Sequence, residues 1–478
     1  MRPAKGLVLA IIDGLTPGAL ERGLAAGTLP ALAALADAGA YRRGTTVFPS
    51  LTPVCLSSIA TGSHPDGHGI PHLVWYHRGE GRIVEYGSSF AAMRAAGATR
   101  ALRDSVFEMS QAHLSRDAVT VFEALEDEGL SPAAINFTCY RGRTRHRLKL
   151  RVPARNRWYE AVYGPRRFFF FNLFESDVTG APLAVRSRVT GSIDAYAAAI
   201  GRWLVTRDGF DFLVFYLPDY DFASHTAGPD GSYEALARAD ASIGRLLDAA
   251  GGIDEFLDRY AVVVCSDHGQ SPSARVARLQ DAFSDLAVYG GRRDGDPARA
   301  DLVVTASNRA GMVYTLPSCP LGVRALAQRL ETEPAADVVL FREAGAAVAR
   351  HGREELRFAP SGCGWTLDGE ASVLDQDRYP KGLERAWRAL LCPNAGEILV
   401  SAADGFEFAD LGGSHHVGGG SHGSLAAADS TVPVLAAGFD ADLLPDEPAV
   451  TDLAGLALEH FGVRVPASMR APAPSHVA

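Results

Sequence analysis

Paired cysteines are missing from this chain. Cys55, Cys139, Cys265, Cys319, Cys363 and Cys392 lie scattered through 478 residues without a CxxC spacing. That pattern excludes a zinc ribbon and a disulfide framework and reads as reduced thiols. Long apolar runs are missing too, since none reaches the roughly 20 residues that a bilayer-spanning helix needs, so no membrane contact is expected. The first apolar run, residues 7–12, is short and ends at the charged Asp13 with no small-residue cleavage site behind it. It reads as a first strand rather than a signal peptide, and a cytoplasmic location is expected. An excess of positive charge is also absent. A net charge of −10 argues against a general nucleic-acid-binding surface, while leaving room for a small pocket that takes a phosphorylated substrate. What is present is apolar: 47% hydrophobic against 21% charged residues, the balance of a folded globule. The length suits one large catalytic domain with insertions, or two domains.

Strand-like apolar runs alternate with helix-like segments. Runs at 7–12, 133–137, 212–217, 261–265 and 432–436 read as strands, with a short extended piece at 45–48. Helical spacing marks 29–38, 52–60, 119–128, 193–205, 233–249 and 452–460. Continuous β-branched runs between helices predict an α/β fold whose mostly parallel sheet is covered on both faces. Residues 72–115 and 139–188 read as irregular insertions, and 275–405 as an inserted cap or subdomain. The catalytic core is then 1–274 with 406–478, and the C-terminal RAPAPSHVA a frayed tail.

Acidic and imidazole residues recur where the predicted strands end. Asp13 closes the first; Asp221 and His225 follow the third in YLPDYDFASHTAGP; Asp267 and His268 follow the fourth in CSDHGQ; His422 lies in GGGSHGSL before the last. Ligands of open α/β sheets bind at that edge, and carboxylate oxygen and imidazole nitrogen are donors that zinc-like ions accept. A lone Asp at a strand end is ordinarily a cap or turn former; six such residues at successive ends require one shared cause. In TTVFPSLTPVCLSSIATGSHPDGHGI a turn leads into a helix that opens at Thr52. A helix N-terminus favours an anion, and a hydroxyl touching a metal there can attack phosphorus. Ser50, Thr45 and Thr46 compete for that role on spacing alone.

Taken in order, IIDG at 11–14, FPSLTP at 48–53, TGSHPDGHGI at 61–70, YLPDYDFASHTAGP at 216–229, SDHG at 266–269 and SHGS at 421–424 resemble the alkaline phosphatase superfamily, in its type I phosphodiesterase and nucleotide pyrophosphatase branch. Each piece is weak; the ordered set is specific. The resemblance implies an alkaline-phosphatase-like sandwich with inserted cap regions and Thr52 as nucleophile. It implies two divalent metal ions, zinc first and manganese as an alternative. Asp13, Thr52, Asp267 and His268 would surround one ion, and Asp221, His225 and His422 the other. The family's DxxxH spacing selects Asp221 over Asp219. Two cations roughly 4 Å apart would clamp an in-line displacement, with a covalent phospho-threonine as intermediate. The expected activity is hydrolysis of a small phosphorylated substrate, as a phosphodiesterase or nucleotide pyrophosphatase. A phosphomonoesterase or phosphonate hydrolase is the alternative, and a non-catalytic binding protein a remote one. A sulfatase is excluded, because no CxPxR-type motif lies at the nucleophile.

The chain departs from the family where many nucleotide pyrophosphatases carry an Asn soon after HGI: here the run is HGIPHLVWYHRGEG. Trp75 and Tyr76 would stack on a leaving group or pack under a loop. The basic run CYRGRTRHRLKLRVPARNR carries Arg141, Arg143, Arg145, Arg147, Lys149 and Arg151. A solvated face is the ordinary reading, and recognition of a second anionic group by some of them, Arg143 foremost, the sharper one. His64, His68 and His72 read as structural, and His415 and His416 as loop residues of which one could orient a metal ligand.

Overall fold

A computed structural model describes residues 4–153, 158–170, 192–291, 296–362, 364–440 and 443–469. The expected tail from residue 470, Cys363, most of the end of the 139–188 stretch and the side chains of Lys149 and Arg151 lie outside the described residues.

Seven strands form the main sheet. They are β1 (Gly6–Ile12), β2 (Gly39–Thr45), β3 (Pro132–Ile135), β4 (Arg167–Phe169), β5 (Phe212–Leu217), β6 (Tyr260–Cys265) and β7 (Thr431–Ala437), in spatial order β2-β7-β6-β1-β5-β3-β4. The five strands from β6 to β4 run parallel. β7 is antiparallel to β6 and to β2. Ile11 of β1 pairs with Tyr216 on one side and Cys265 on the other. That register sets the ends of β1, β5 and β6 level, so the residues that follow them emerge at one place.

β1 is buried on both faces, as its unbroken apolar run requires. Val8, Ala10 and Ile12 share a core with Leu32, Leu35, Tyr196, Ile243 and Leu246. Leu7, Leu9 and Ile11 share the other with Val54, Ile59, Leu453 and Leu456. Full burial of such a side chain is worth about 1.5–3 kcal/mol, so both helical layers are held by the strand that carries Asp13.

Three expectations need correcting. The extended piece at 45–48 belongs to β2, which ends at Thr45 and begins earlier; its sequence GAYRRGT is half exposed and has little apolar signal. The stretch 72–115 is not irregular: it holds a hairpin of Val74–His77 with Arg82–Glu85 and helical segments from Phe90 to His113. The stretch 139–188 supplies a second hairpin, Thr144–Pro153 with Trp158–Gly164, and the edge strand β4. Arg145 and Arg147 are exposed in that hairpin with His146 less so between them, which is a strand with a solvated face. Residues 288–402 build an eight-stranded, mostly antiparallel sheet. No helix among the described residues is long and apolar enough to cross a membrane, and the five described cysteines are free.

Candidate active site

The seven residues singled out above meet at the level strand ends. Asp13 leaves β1. Asp267 and His268 leave β6. Asp221 and His225 sit one turn apart on helix α2 (Asp219–Ala227), which follows β5, so their side chains share a face. Asp219 is turned away: its carboxylate accepts from Ser192 Oγ at 2.8 Å and from the Ile193 amide at 3.1 Å, capping the helix Ile193–Val205. His422 arrives on the loop before β7. Thr52 opens helix α1 (Thr52–Thr61) with Pro53 behind it, and proline is tolerated there because the first amides of a helix lack partners anyway.

His268 Nε2 lies 3.1 Å from Thr52 Oγ1, 3.3 Å from Asp13 Oδ1 and 3.5 Å from Asp267 Oδ2. His225 Nε2 lies 3.1 Å from Asp221 Oδ2, and His422 Nε2 3.9 Å from Asp221 Oδ1. The rings of His268 and His422 stack at 3.6 Å. Two groups offer ligand atoms within 4.8 Å of one another: Asp221, His225 and His422, and Asp13, Asp221 and His268. Asp221 thus stands between both. Two of the three rival hydroxyls are occupied: Thr46 donates to Asp267 O, and Ser50 to Ser424 O at 2.9 Å.

Each imidazole is held the same way. His268 Nδ1 faces Gly269 O at 3.0 Å, His225 Nδ1 faces Gly420 O at 2.9 Å, and His422 Nδ1 faces Ser50 O at 2.8 Å. A carbonyl only accepts, so each Nδ1 carries a hydrogen, which leaves Nε2 as the atom turned toward the carboxylates and able to offer a lone pair wherever it is unprotonated. At His422 that lone pair also accepts from Asn308 Nδ2 at 2.9 Å.

The electrostatics call for a cation. Asp13, Asp221 and Asp267 are buried together, and Asp13 Oδ1 and Asp267 Oδ2 have no hydrogen-bond donor. Burial and the neighbouring Asp13 push Asp267 well above the usual carboxylate range. Burial works against a charged His268, but Asp267 and Asp13 outweigh it and raise the imidazole to about 10. Burial likewise opposes charge on His225, and Asp221 overrides it, to about 9. Burial and the charge on His268 hold His422 well below its ordinary value. Unpaired buried carboxylates are costly, and oxygen and imidazole-nitrogen donors with two orphaned carboxylate oxygens fit a divalent metal.

Several supporting residues escaped sequence reasoning. Tyr216, the polar end of the run FLVFYL, donates its hydroxyl to Asp13 Oδ2. Gln270 donates to Asp221 Oδ1 and accepts from Ser224; its place two residues beyond His268 was the available signal. His416, in contrast, is one of the two loop histidines read above as able to orient a ligand: it stacks on His225 at 4.0 Å, with Nδ1 3.1 Å from the buried Glu407. Arg309 and Asp429, paired at 2.9 Å in full burial, brace the His422 loop: the Arg309 amide donates to His422 O and the Ser424 amide to Asp429.

A cavity of about 410 Å³ opens on this centre, lined by Asp13, Thr52, Asp221, His225 and His422 at one end and largely by apolar side chains beyond. The structure does not bring Trp75, Tyr76 or Arg143 to it. Trp75 is fully buried against His77 and His113. Tyr76 packs on Tyr289 and Tyr314. Arg143 forks onto Asp127 and reaches Glu123 at 2.9 Å, so its charge is neutralised on the helix Val121–Asp127.

Comparison with known proteins agrees with this architecture. Residues 7–425 match the family model described as type I phosphodiesterase / nucleotide pyrophosphatase. Among solved structures, phosphonoacetate hydrolase from Sinorhizobium meliloti 1021, in complex with phosphonoformate, superposes with a TM-score of 0.60 at 18% identity over 96% of each chain. An inactive variant of murine ectonucleotide pyrophosphatase / phosphodiesterase 5, in complex with AMP, gives 0.58 at 13% identity over 97% of this chain and 96% of that one. The human protein of the same description gives 0.56 at 12%, with the same coverage. No curated protein matches the chain in sequence. The chain belongs to the type I phosphodiesterase/nucleotide pyrophosphatase family, within the alkaline phosphatase superfamily, and is a phosphoric ester hydrolase.

Proposed function

We propose that the chain hydrolyses a small phosphodiester through a phosphothreonine at Thr52. Asp13, Asp267 and His268, with Thr52, would hold one divalent cation, and Asp221, His225 and His422 a second; zinc suits these donors best. One observation carries the reading: three imidazoles each spend Nδ1 on a backbone carbonyl and turn Nε2 toward buried carboxylates, His268 toward Asp13 and Asp267, each of which keeps an oxygen without a donor, and His225 and His422 toward Asp221. Second-shell carbonyls fix metal-binding histidines in this way.

Two divalent cations held by these residues would supply the positive charge that acidifies the nucleophile and stabilises an in-line displacement. The chain's own residues set the rest. α1 turns its N-terminal end toward the site, where its dipole favours the phosphoryl anion. Thr52 Oγ1 bonds to phosphorus as the bond to the leaving oxygen breaks, and the proton that Oγ1 gives up ends, by way of solvent, on the departing alcohol. Water then cleaves the Oγ1–phosphorus bond, restoring Thr52 and releasing a phosphomonoester. Tyr216 and Gln270 hold Asp13 and Asp221 throughout. All seven residues fall in 1–274 and 406–478, which we take as the catalytic unit with 275–405 inserted into it.

The test is an assay of bis-(p-nitrophenyl) phosphate and p-nitrophenyl phosphate, with chelator and with added zinc, beside Thr52→Ala. Faster diester cleavage that needs metal and falls at least about a hundredfold in Thr52→Ala is expected. Preference for the monoester would move the assignment to a phosphatase, and undiminished activity in Thr52→Ala would remove Thr52 from the chemistry.

A further inference from the structure

Asn136 stands at the C-terminal end of β3 and lines the cavity. It is 3% exposed, yet neither its amide nitrogen nor its amide oxygen has a hydrogen-bond partner. Buried polar side chains are nearly always paired, and an unpaired one calls for a reason. Its backbone is left-handed, with φ 56°, and is fixed by the hydrogen bond that the Asn136 amide donates to Phe169 O at 2.8 Å. Asparagine tolerates that conformation better than most residues. The side chain is therefore held by an anchored backbone and presents one donor pair and one acceptor to the cavity.

The surroundings are apolar. Leu73, Tyr86, Met109 and Phe170 line the same space, and Phe222, 58% exposed on α2 beside Asp221, stands at its edge. No lysine or arginine is among the described residues that line it. Away from the Asp/His end the lining is chiefly apolar, with the uncharged hydroxyls of Ser88, Ser105 and Thr138, and an amide there recognises a neutral group that both donates and accepts. A second anion there would meet no countercharge and lose its hydration.

We propose that Asn136 is a specificity-determining residue that reads a neutral amide-like group on the organic portion of the substrate, so that the natural substrate carries an uncharged, chiefly apolar organic group and not a second anionic one. The proposal rests on the reading of the Asp/His centre as the phosphoryl end of the cavity. It does not require turnover.

Binding of three non-hydrolysable probes to the zinc-loaded full chain tests it: phenylphosphonate, 4-acetamidophenylphosphonate and 4-carboxyphenylphosphonate, measured by titration calorimetry. The variants are Asn136→Gly, which keeps the left-handed backbone and deletes the amide, and Asn136→Asp, which keeps the shape and adds charge. The wild-type chain should bind the acetamido probe about tenfold or more tighter than the carboxy probe, the weight of a buried hydrogen bond to a well-placed partner. Asn136→Gly and Asn136→Asp should each lose that preference, while phenylphosphonate shifts by less than about threefold in Asn136→Gly. Tighter or equal binding of the carboxy probe by wild type would overturn the proposal. So would an equal loss for all three probes in both variants, or no binding of any probe to wild type. The expected binding pattern without cleavage of bis-(p-nitrophenyl) phosphate would uphold the role of Asn136 and sink the catalytic reading alone.

Discussion

Arg143 is half exposed and already holds three carboxylate oxygens of Asp127 and Glu123 at 2.9 to 3.0 Å. Arg143→Ala should therefore leave KM for bis-(p-nitrophenyl) phosphate within about twofold and lower stability by no more than about 1 kcal/mol, the worth of an exposed ion pair. Steady-state kinetics and a urea titration check both numbers; a tenfold rise in KM would return Arg143 to the site. Arg143 and Asn136 show what was readable at this scale. The Asp and His residues stood out because each follows an apolar run, and strand ends form one edge wherever they lie in the chain. Asn136 lies inside the run read as a strand at 133–137, and only the structure, in which β3 ends at Ile135, puts it at the strand end. Its unpaired amide is a property of the packed cavity and of nothing local. Arg143 misled for the complementary reason: its partners, Glu123 and Asp127, belong to the preceding helix and are met only after folding.

The loop leaving β6 makes Gly269 a tight joint of the centre. A Cβ at Gly269 would lie 2.2 Å from Ala428 O and 3.0 Å from Thr431 O, both backbone atoms at the entry to β7, which cannot swing aside as a side chain does. Gly269 O is also the acceptor that orients His268. We expect Gly269→Ala to fold but to shift His268, cutting metal-dependent diesterase activity by about a hundredfold, since misplacement on the order of 1 Å has that effect. Zinc content per chain, measured beside the rate, should fall with it; wild-type activity and zinc content would contradict this account of the loop. The apolar strands β1, β5, β6 and β7 were legible because burial on both faces leaves an unbroken hydrophobic run. β2 and β4 lie at the two edges of the sheet: β2 lacks that run, and β4 contributes only Phe168 and Phe169 after Arg167. β2 was placed too far along the chain and β4 was lost in a basic stretch, since edge pairing follows from neighbours rather than from composition.

At the scale of the whole molecule, the two sheets are not independent bodies: Leu9 and Ile11 of β1 share one hydrophobic core with Leu340, Ala347 and Leu399 of the eight-stranded sheet. The alternation of that second sheet was illegible in 275–405, because both its faces contribute buried residues and its loops break the rhythm. Three histidines sit in the fully buried region around α1. Burial, then Arg388 and Arg385, lowers His64 to about 3. Burial lowers His68 to about 3 and His72 to about 4. Geometry demands the same neutral form: His68 Nδ1 accepts from the Ile70 amide at 3.1 Å and His72 Nδ1 from the Val74 amide at 3.0 Å. Their native pKa values lie below the unfolded value of about 6.5, so below that pH the unfolded chain binds more protons. The stability these groups contribute is complete well above pH 6.5 and is lost as pH falls toward 4. The slope approaches about 1.4 kcal/mol per pH unit for each histidine, or on the order of 3 to 4 kcal/mol for the three between pH 6.5 and 5.5. Urea unfolding of chelator-treated protein at pH 7.5, 6.5 and 5.5 separates this from loss of metal. The midpoint should drop much more between pH 6.5 and 5.5 than between pH 7.5 and 6.5, where the three histidines together cost only about 1 kcal/mol. His72→Gln, which lowers stability at every pH, should flatten the acid limb by the share of one histidine. An unchanged midpoint at pH 5.5 would mean that these imidazoles take up protons without leaving the core, which their amide donors forbid.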